Sequence, residues 1–64
     1  MTVHEYCCRV QLLLGEADVC PAQHELHRRD QEGIRRCIAY ATTGHDDWAR
    51  EFARAIAERW ELPV

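Results

Sequence analysis

With 64 residues, the chain has room for one domain, and a domain of this size buries only about 60% of the surface that its unfolded form exposes. An apolar fraction of 47% is ample for a core and argues against intrinsic disorder. The formal charge of −3 argues against a nucleic-acid binder, because a basic surface supplies most non-specific affinity for nucleic acid.

The first predicted helix starts behind Thr2, because Thr2 and Glu5 have the spacing of a capping box. Gly15 is expected to end this helix in the position after the C-cap. Its apolar residues recur on one face at helical spacing: Val3, Tyr6, Cys7, Val10, Leu13 and Leu14. Leu12 and Cys8 point away from that face; two such stray apolar positions are normal, and the alternative is that together they mark a second contact surface.

Pro21 predicts the first turn of a second helical region, Ala22 to Ala41. Its apolar face consists of Leu26, Ile34, Cys37, Ile38 and Ala41. Asp30 lies in the middle of this face, and Gly33 costs up to about 1 kcal/mol relative to Ala in a helix. We therefore predict a break or kink near Asp30–Gly33, with Asp30 as N-cap of a second piece. One continuous helix is the alternative, because three favourable pairs span this region: Glu25–Arg29, Arg28–Glu32 and Glu32–Arg36.

The last predicted helix follows the Thr-Thr-Gly turn, with Asp46 or Asp47 as its cap. Its expected core stripe consists of Trp48, Phe52, Ala55 and Ile56, flanked by Ala49, Ala53 and Trp60. Pro63 ends any helix, and the apolar tail is expected to dock on the chain's own core or on another chain: Trp60, Leu62 and Val64. Residues 1–64 are thus predicted to form one all-α domain, a small compact bundle of three to four short helices.

The segment CPAQHELH carries one thiol and two imidazoles, which are ligand types that zinc prefers. It contains no Cys-x-x-Cys pair, and its two histidines fall on the polar side of the predicted helix. We therefore expect no cofactor. The alternative is a zinc-binding structural domain with the ligands Cys20, His24, His27 and Cys37, or with Cys7 or Cys8 as the fourth ligand.

Motifs of catalysis are missing from the sequence, which has neither a Gly-rich phosphate loop nor a nucleophile elbow. His45 stands beside Asp46 and Asp47, but helix capping already explains these carboxylates. We predict a protein without enzymatic activity and without catalytic residues.

The arginine-rich run HRRDQEGIRR could form a helix–turn–helix across Asp30–Gly33. Acidic residues interrupt the run, so a dimeric DNA binder is only the second alternative. The first residues have the pattern of neither a signal peptide nor a membrane span. A cytoplasmic location with reduced thiols is therefore expected, without contact to a membrane.

Surface recognition is the leading interpretation, because Trp, Tyr and Arg dominate the hot spots of protein interfaces. The chain has two Trp, two Tyr and eight Arg; lysine is absent, which indicates a GC-rich bacterial or phage genome. We predict an adaptor, regulator or inhibitor that binds another protein of unknown identity, or forms a homodimer. The residues predicted to contact the partner are Trp60, Arg35, Arg36, Tyr40 and Leu12.

Overall fold

The computed structural model describes residues 1–64 and contains three α-helices: α1 (Val3–Glu16), α2 (His24–Thr42) and α3 (Asp46–Arg59). A 3-10 turn at Pro21–Gln23 leads into α2, as the proline predicted. Each helix contacts the other two, and the prediction of a small all-α bundle is confirmed. None of the helices combines the length and the apolar composition that a membrane crossing needs.

Helix α1 begins as predicted but ends differently. The Thr2 hydroxyl accepts a hydrogen bond from the backbone N–H of Glu5 at 3.1 Å, which caps the helix. The expectation that Gly15 ends α1 is wrong, because the helix continues to Glu16. The chain then leaves through Ala17 in an extended conformation, so no left-handed glycine is needed at this end.

Helix α2 is continuous, and the predicted break near Asp30–Gly33 is wrong. Asp30 is only 7% exposed and is not an N-cap. Its carboxylate accepts two hydrogen bonds of 2.8 Å from Arg59 and one of 2.6 Å from the indole nitrogen of Trp60. The acidic residue lies on the apolar face because its partners come from the end of α3. Of the pairs that favoured a continuous helix, Glu25–Arg29 is present at 3.9 Å.

The core is small and is filled from three sides. Its largest fully buried side chains are Leu14, Ile34, Ile56, Val10, Cys7 and Cys37. Helix α3 contributes mainly small residues to this core: Ala49, Ala53 and Ala57, together with Ile56. Small side chains allow helices to approach closely.

The predicted core stripe of α3 is wrong for its largest members. Trp48 is 67% exposed and Phe52 is 56% exposed, and Ala55 is also exposed, whereas Ile56 is buried as predicted. Helix α3 has two apolar stripes about one residue apart, and the alanine stripe faces the core. The bonds from Arg59 and Trp60 to Asp30 fix this rotation, because both donors stand at the end of the same helix.

The start of α3 differs from the prediction in its cap. His45 occupies the N-cap position without a side-chain hydrogen bond, so neither Asp46 nor Asp47 is the cap. Both carboxylates lie in the first turn, where they still complement the positive end of the helix dipole. Gly44 makes the preceding turn with φ +90°, a conformation that favours glycine.

Two of the three apolar tail residues dock on the chain's own core, whereas Val64 is exposed. Trp60 and Leu62 are half-buried and pack against it. The edge of the Trp60 ring meets His27, with ring centroids 5.4 Å apart. The Nε2–H of His27 donates to the backbone oxygen of Leu14 at 2.7 Å, which ties α2 to the end of α1.

We expect Asp30→Ala to lower the free energy of unfolding by about 2 kcal/mol, because it leaves two donors without their charged acceptor. Trp60→Phe, which keeps the ring and removes one donor, should cost about 1 kcal/mol. Urea denaturation followed by circular dichroism measures both. The exposed Asp18→Ala is the control and should change the value by less than about 0.5 kcal/mol. An Asp30→Ala effect equal to that of the control would contradict the role of Asp30.

Candidate functional site

The most unusual surface of the protein lies where α2 ends and α3 begins. The rings of His45 and Trp48 stack with centroids 5.2 Å apart, and Tyr40 meets both edge-on at 6.1 and 6.3 Å. All three residues are exposed. Phe52 follows one turn after Trp48 on the same side of α3. Large apolar side chains thus form a contiguous exposed region on a protein of only 64 residues.

A groove between α2 and α3 continues from this region. We refer to it as the α2–α3 groove; its volume is about 290 Å³, and its lining residues are Arg29, Glu32, Gly33, Arg36, Cys37, Tyr40 and Phe52. Gly33 lies beneath the ring of Phe52, since a Cβ atom at this position would be 3.0 Å from its Cε1. The absence of a side chain at Gly33 therefore keeps the groove open.

The groove carries charge of both signs along its α2 rim. Arg29, Glu32 and Arg36 alternate in sign along one edge of the helix. Glu32 and Arg36 take part in no ion pair within the chain, and Arg29 has only a 3.9 Å contact to Glu25. These side chains are therefore free to pair with a bound molecule. Two cations against one anion give the lining a positive balance, although the whole chain is negative.

One buried thiol, that of Cys37, lies at the base of the groove, and Cys7 lies in the core. Burial raises the pKa of the Cys37 thiol to about 11, so that this group is protonated at neutral pH and is a poor nucleophile. Burial likewise raises the pKa of Cys7, whose thiol points at the backbone oxygen of Ala49. Neither Cys37 nor Cys7 is therefore suited to act as a nucleophile at the groove.

The residues predicted to bind a partner lie in four separate places, and only two of these residues line the groove. Tyr40 and Arg36 lie in the α2–α3 groove. Arg35 is exposed on α2 but does not line the groove, and Leu12 is 62% exposed on α1, which contributes nothing to the groove. Trp60 is half-buried, and its indole N–H is bound to Asp30.

Three residues of this region were not predicted from the sequence: Phe52 and Gly33 line the groove, and Trp48 lies next to Tyr40 at its end. The sequence predicts Phe52 and Trp48 as core residues and Gly33 as a weak point of the helix. The available signal was the parallel stripe of alanines on α3, which offered an alternative core face.

The four residues of the zinc alternative lie in different environments and do not converge on one point. The exposed Cys20 thiol donates to the side chain of Gln23 at 3.4 Å, and His24 is exposed. His27 binds the backbone of Leu14, and Cys37 is buried in the core. No group of three or more His, Cys, Asp or Glu side chains is placed to hold a metal ion.

The helix–turn–helix alternative needs a turn inside residues 28–36, where α2 is continuous. No protein-family model matches the chain, and no curated protein or solved structure is significantly similar to it. The function must therefore be inferred from the α2–α3 groove and its surroundings.

Thiol labelling should separate the cysteines by burial. We expect exposed Cys20 to react with iodoacetamide at neutral pH at least about a hundredfold faster than Cys37, because Cys37 is buried and its thiolate is scarce. Peptide mass spectrometry over a time course measures the rates. Urea-unfolded protein is the control, in which both thiols should react alike. Equal rates in the folded protein would contradict the burial of Cys37.

Gly33→Ala should raise the free energy of unfolding by up to about 1 kcal/mol, because alanine favours the helix and the exposed ring of Phe52 can swing aside. Gly15→Ala is the matched control, since its Cβ meets nothing within 4 Å. Gly44→Ala should destabilise the protein by about 1 kcal/mol because of its positive φ. Urea denaturation compares all three; a destabilising Gly33→Ala would show that the Phe52 ring is fixed.

Proposed function

We propose that this protein is a non-enzymatic interaction module that binds another protein chain through the α2–α3 groove. One observation carries the proposal: Trp48 and Phe52, the largest apolar residues of α3, lie outside the core while alanines fill the space inside. Contiguous exposed apolar surface on a small protein marks an interaction site. Aromatic and arginine side chains are also the residue types that contribute most to interface energies.

The form of the groove favours a protein over a small-molecule ligand. Its volume of about 290 Å³ is at the lower limit of ligand pockets, which span roughly 300–1,000 Å³. Exposed rings of the aromatic residues extend beyond it, so the contact surface is larger than the groove itself. A groove between two helices is also a common binding site for an amphipathic helix of another protein.

The position of the charges supports the same proposal. Arg36 and Glu32 stand at the rim, where polar residues surround the apolar centre of a protein interface. The absence of in-chain ion pairs leaves both side chains free for a partner. An adaptor, regulator or inhibitor acts through such a surface without chemistry of its own. A cytoplasmic location is part of this proposal, because a reducing compartment keeps thiols such as these in the free form.

The proposal predicts that Phe52→Ser weakens capture of the bound chain at least about tenfold, because a central aromatic contact is lost. Tagged protein is incubated with an extract of the source cells, and mass spectrometry quantifies the chains that bind. Leu12→Ser is the matched control, since Leu12 has a similar exposure on a helix outside the groove.

Charge reversal gives an independent arm of the same experiment. Arg36→Glu should also reduce capture, whereas Arg35→Glu, outside the groove lining, should have a smaller effect. Far-UV circular dichroism must show unchanged helix content for every variant. Capture that survives Phe52→Ser and Arg36→Glu, or that is lost with Leu12→Ser, would contradict the proposed site.

A further inference from the structure

Helix α3 has an apolar seam that faces solvent. Trp48, Phe52 and Ala55 follow each other at intervals of four and three residues, which is the spacing of a coiled-coil seam. All three residues are exposed, and the ring of Phe52 forms part of the groove wall. A seam of this spacing packs against a second helix.

Two carboxylates flank this seam. Glu51 and Glu58 lie one turn to either side of Ala55 on the helix surface, with Arg54 between them. Within the chain, Arg54 contacts Glu51 at 3.9 Å and Glu58 at 3.3 Å. These side chains are 60–71% exposed, so the pairs contribute little to stability and can rearrange when a partner binds.

The charges of α3 are the opposite of those on the groove rim. Along α2 the signs are plus, minus, plus at Arg29, Glu32 and Arg36. Along α3 they are minus, plus, minus at residues 51, 54 and 58. The outer residues of both sets are seven positions apart, which is two helical turns. The chain therefore carries both halves of a complementary interface.

We propose that the α2–α3 groove holds α3 of a second copy of this chain, in a two-fold dimer whose two α3 helices are parallel. This inference rests on the proposed function, because it names the chain that occupies the same groove. In such a dimer each copy fills the groove of the other, and every contact occurs twice. Trp48, Phe52 and Ala55 meet the same residues of the partner along the seam.

The two-fold symmetry determines which residues of the two chains lie at the same level along the helix axes. A two-fold axis along the helices places the partner's α3 level with the chain's own α3. Helices α2 and α3 are antiparallel, with Gly33 beside Phe52 and Tyr40 beside Trp48. Arg36 lies between the two α2 positions, and so is level with residues between 48 and 52.

Glu51 of the partner lies within that stretch, opposite Arg36. At the other end of the groove, Asp30 binds Arg59, so that its neighbour Arg29 is level with the last turn of α3. Glu58 of the partner lies in that turn. The register that symmetry imposes is thus the register that pairs the charges.

Arg54 of the partner is at the height of Glu32, but it is turned toward α1, where it lines a groove with Tyr6. The two pairs Arg36–Glu51 and Arg29–Glu58 therefore select the partner and fix its register. Burial of the aromatic seam also removes the exposed apolar surface that a chain of this size would otherwise leave in water.

Sedimentation equilibrium and native mass spectrometry of the full chain test the dimer. The wild type should show a concentration-dependent dimer. Arg36→Glu and Glu51→Arg should each raise the dissociation constant at least about tenfold, because each places like charges together at two sites. Arg35→Glu is the matched control, with the same charge change on the same helix outside the groove lining.

Mixing the two weakened variants is the decisive step. In a heterodimer of the Arg36→Glu chain with the Glu51→Arg chain, opposite charges face each other at both sites, so wild-type affinity should return. Circular dichroism confirms that each variant is folded before mixing.

A wild type that stays monomeric would overturn the dimer, and so would a dimer that survives both charge reversals or a mixture that fails to associate. A monomer that still captures a foreign chain through Phe52 would leave the proposed function standing. A chain that neither forms the dimer nor captures a foreign chain through Phe52 would contradict the proposed function as well.

Discussion

The rest of the structure depends on the interaction of the Asp30 carboxylate with Arg59 and Trp60. The carboxylate is held in the apolar face of α2 by three hydrogen bonds from the last residue of α3 and from Trp60 just beyond it. Both donor side chains, Arg59 and Trp60, extend from the end of α3 toward Asp30. Their common orientation determines which side of α3 faces the core. The inward side carries alanines, and the outward side carries Trp48 and Phe52. The groove is thus a consequence of a polar contact at one of its ends, next to Arg29.

An alanine-rich contact has a cost and a benefit. Each buried alanine removes less apolar surface from water than a larger residue would, so the core contributes modestly to the free energy of folding. The close approach of the helices, however, leaves the aromatic residues free for intermolecular contacts. A chain that binds a partner in this way gains stability by mass action, since the bound state is available only to the folded protein. Folding and association are therefore expected to reinforce each other.

The helical fold followed from patterns that are local in sequence, such as the Thr2 cap, Pro21 and the apolar spacing of α1. The rest could not be predicted because its causes are not local. Asp30 indicates a break when only its neighbours are considered, whereas its partners lie 29 and 30 residues further along the chain. For α3, the alanine stripe and the stripe of Trp48 and Phe52 both have helical periodicity. Only the packing against the other helices determines which of the two faces the core. Residue type alone predicts Arg36 and Tyr40 as partner contacts, and both line the α2–α3 groove, whereas Phe52 lines the groove only because of the rotation of α3.

Gly33 and Phe52 together have an evolutionary consequence. A Cβ atom at position 33 would lie 3.0 Å from the ring of Phe52, so a change of size at either position alters the space available at the other. Relatives of this chain that keep the groove should therefore show correlated substitutions: a larger residue at position 33 would accompany a smaller one at position 52. Lineages in which an alanine replaces Gly33 beside an unchanged aromatic ring would have exchanged the open groove for a more rigid helix, and with it the proposed binding surface.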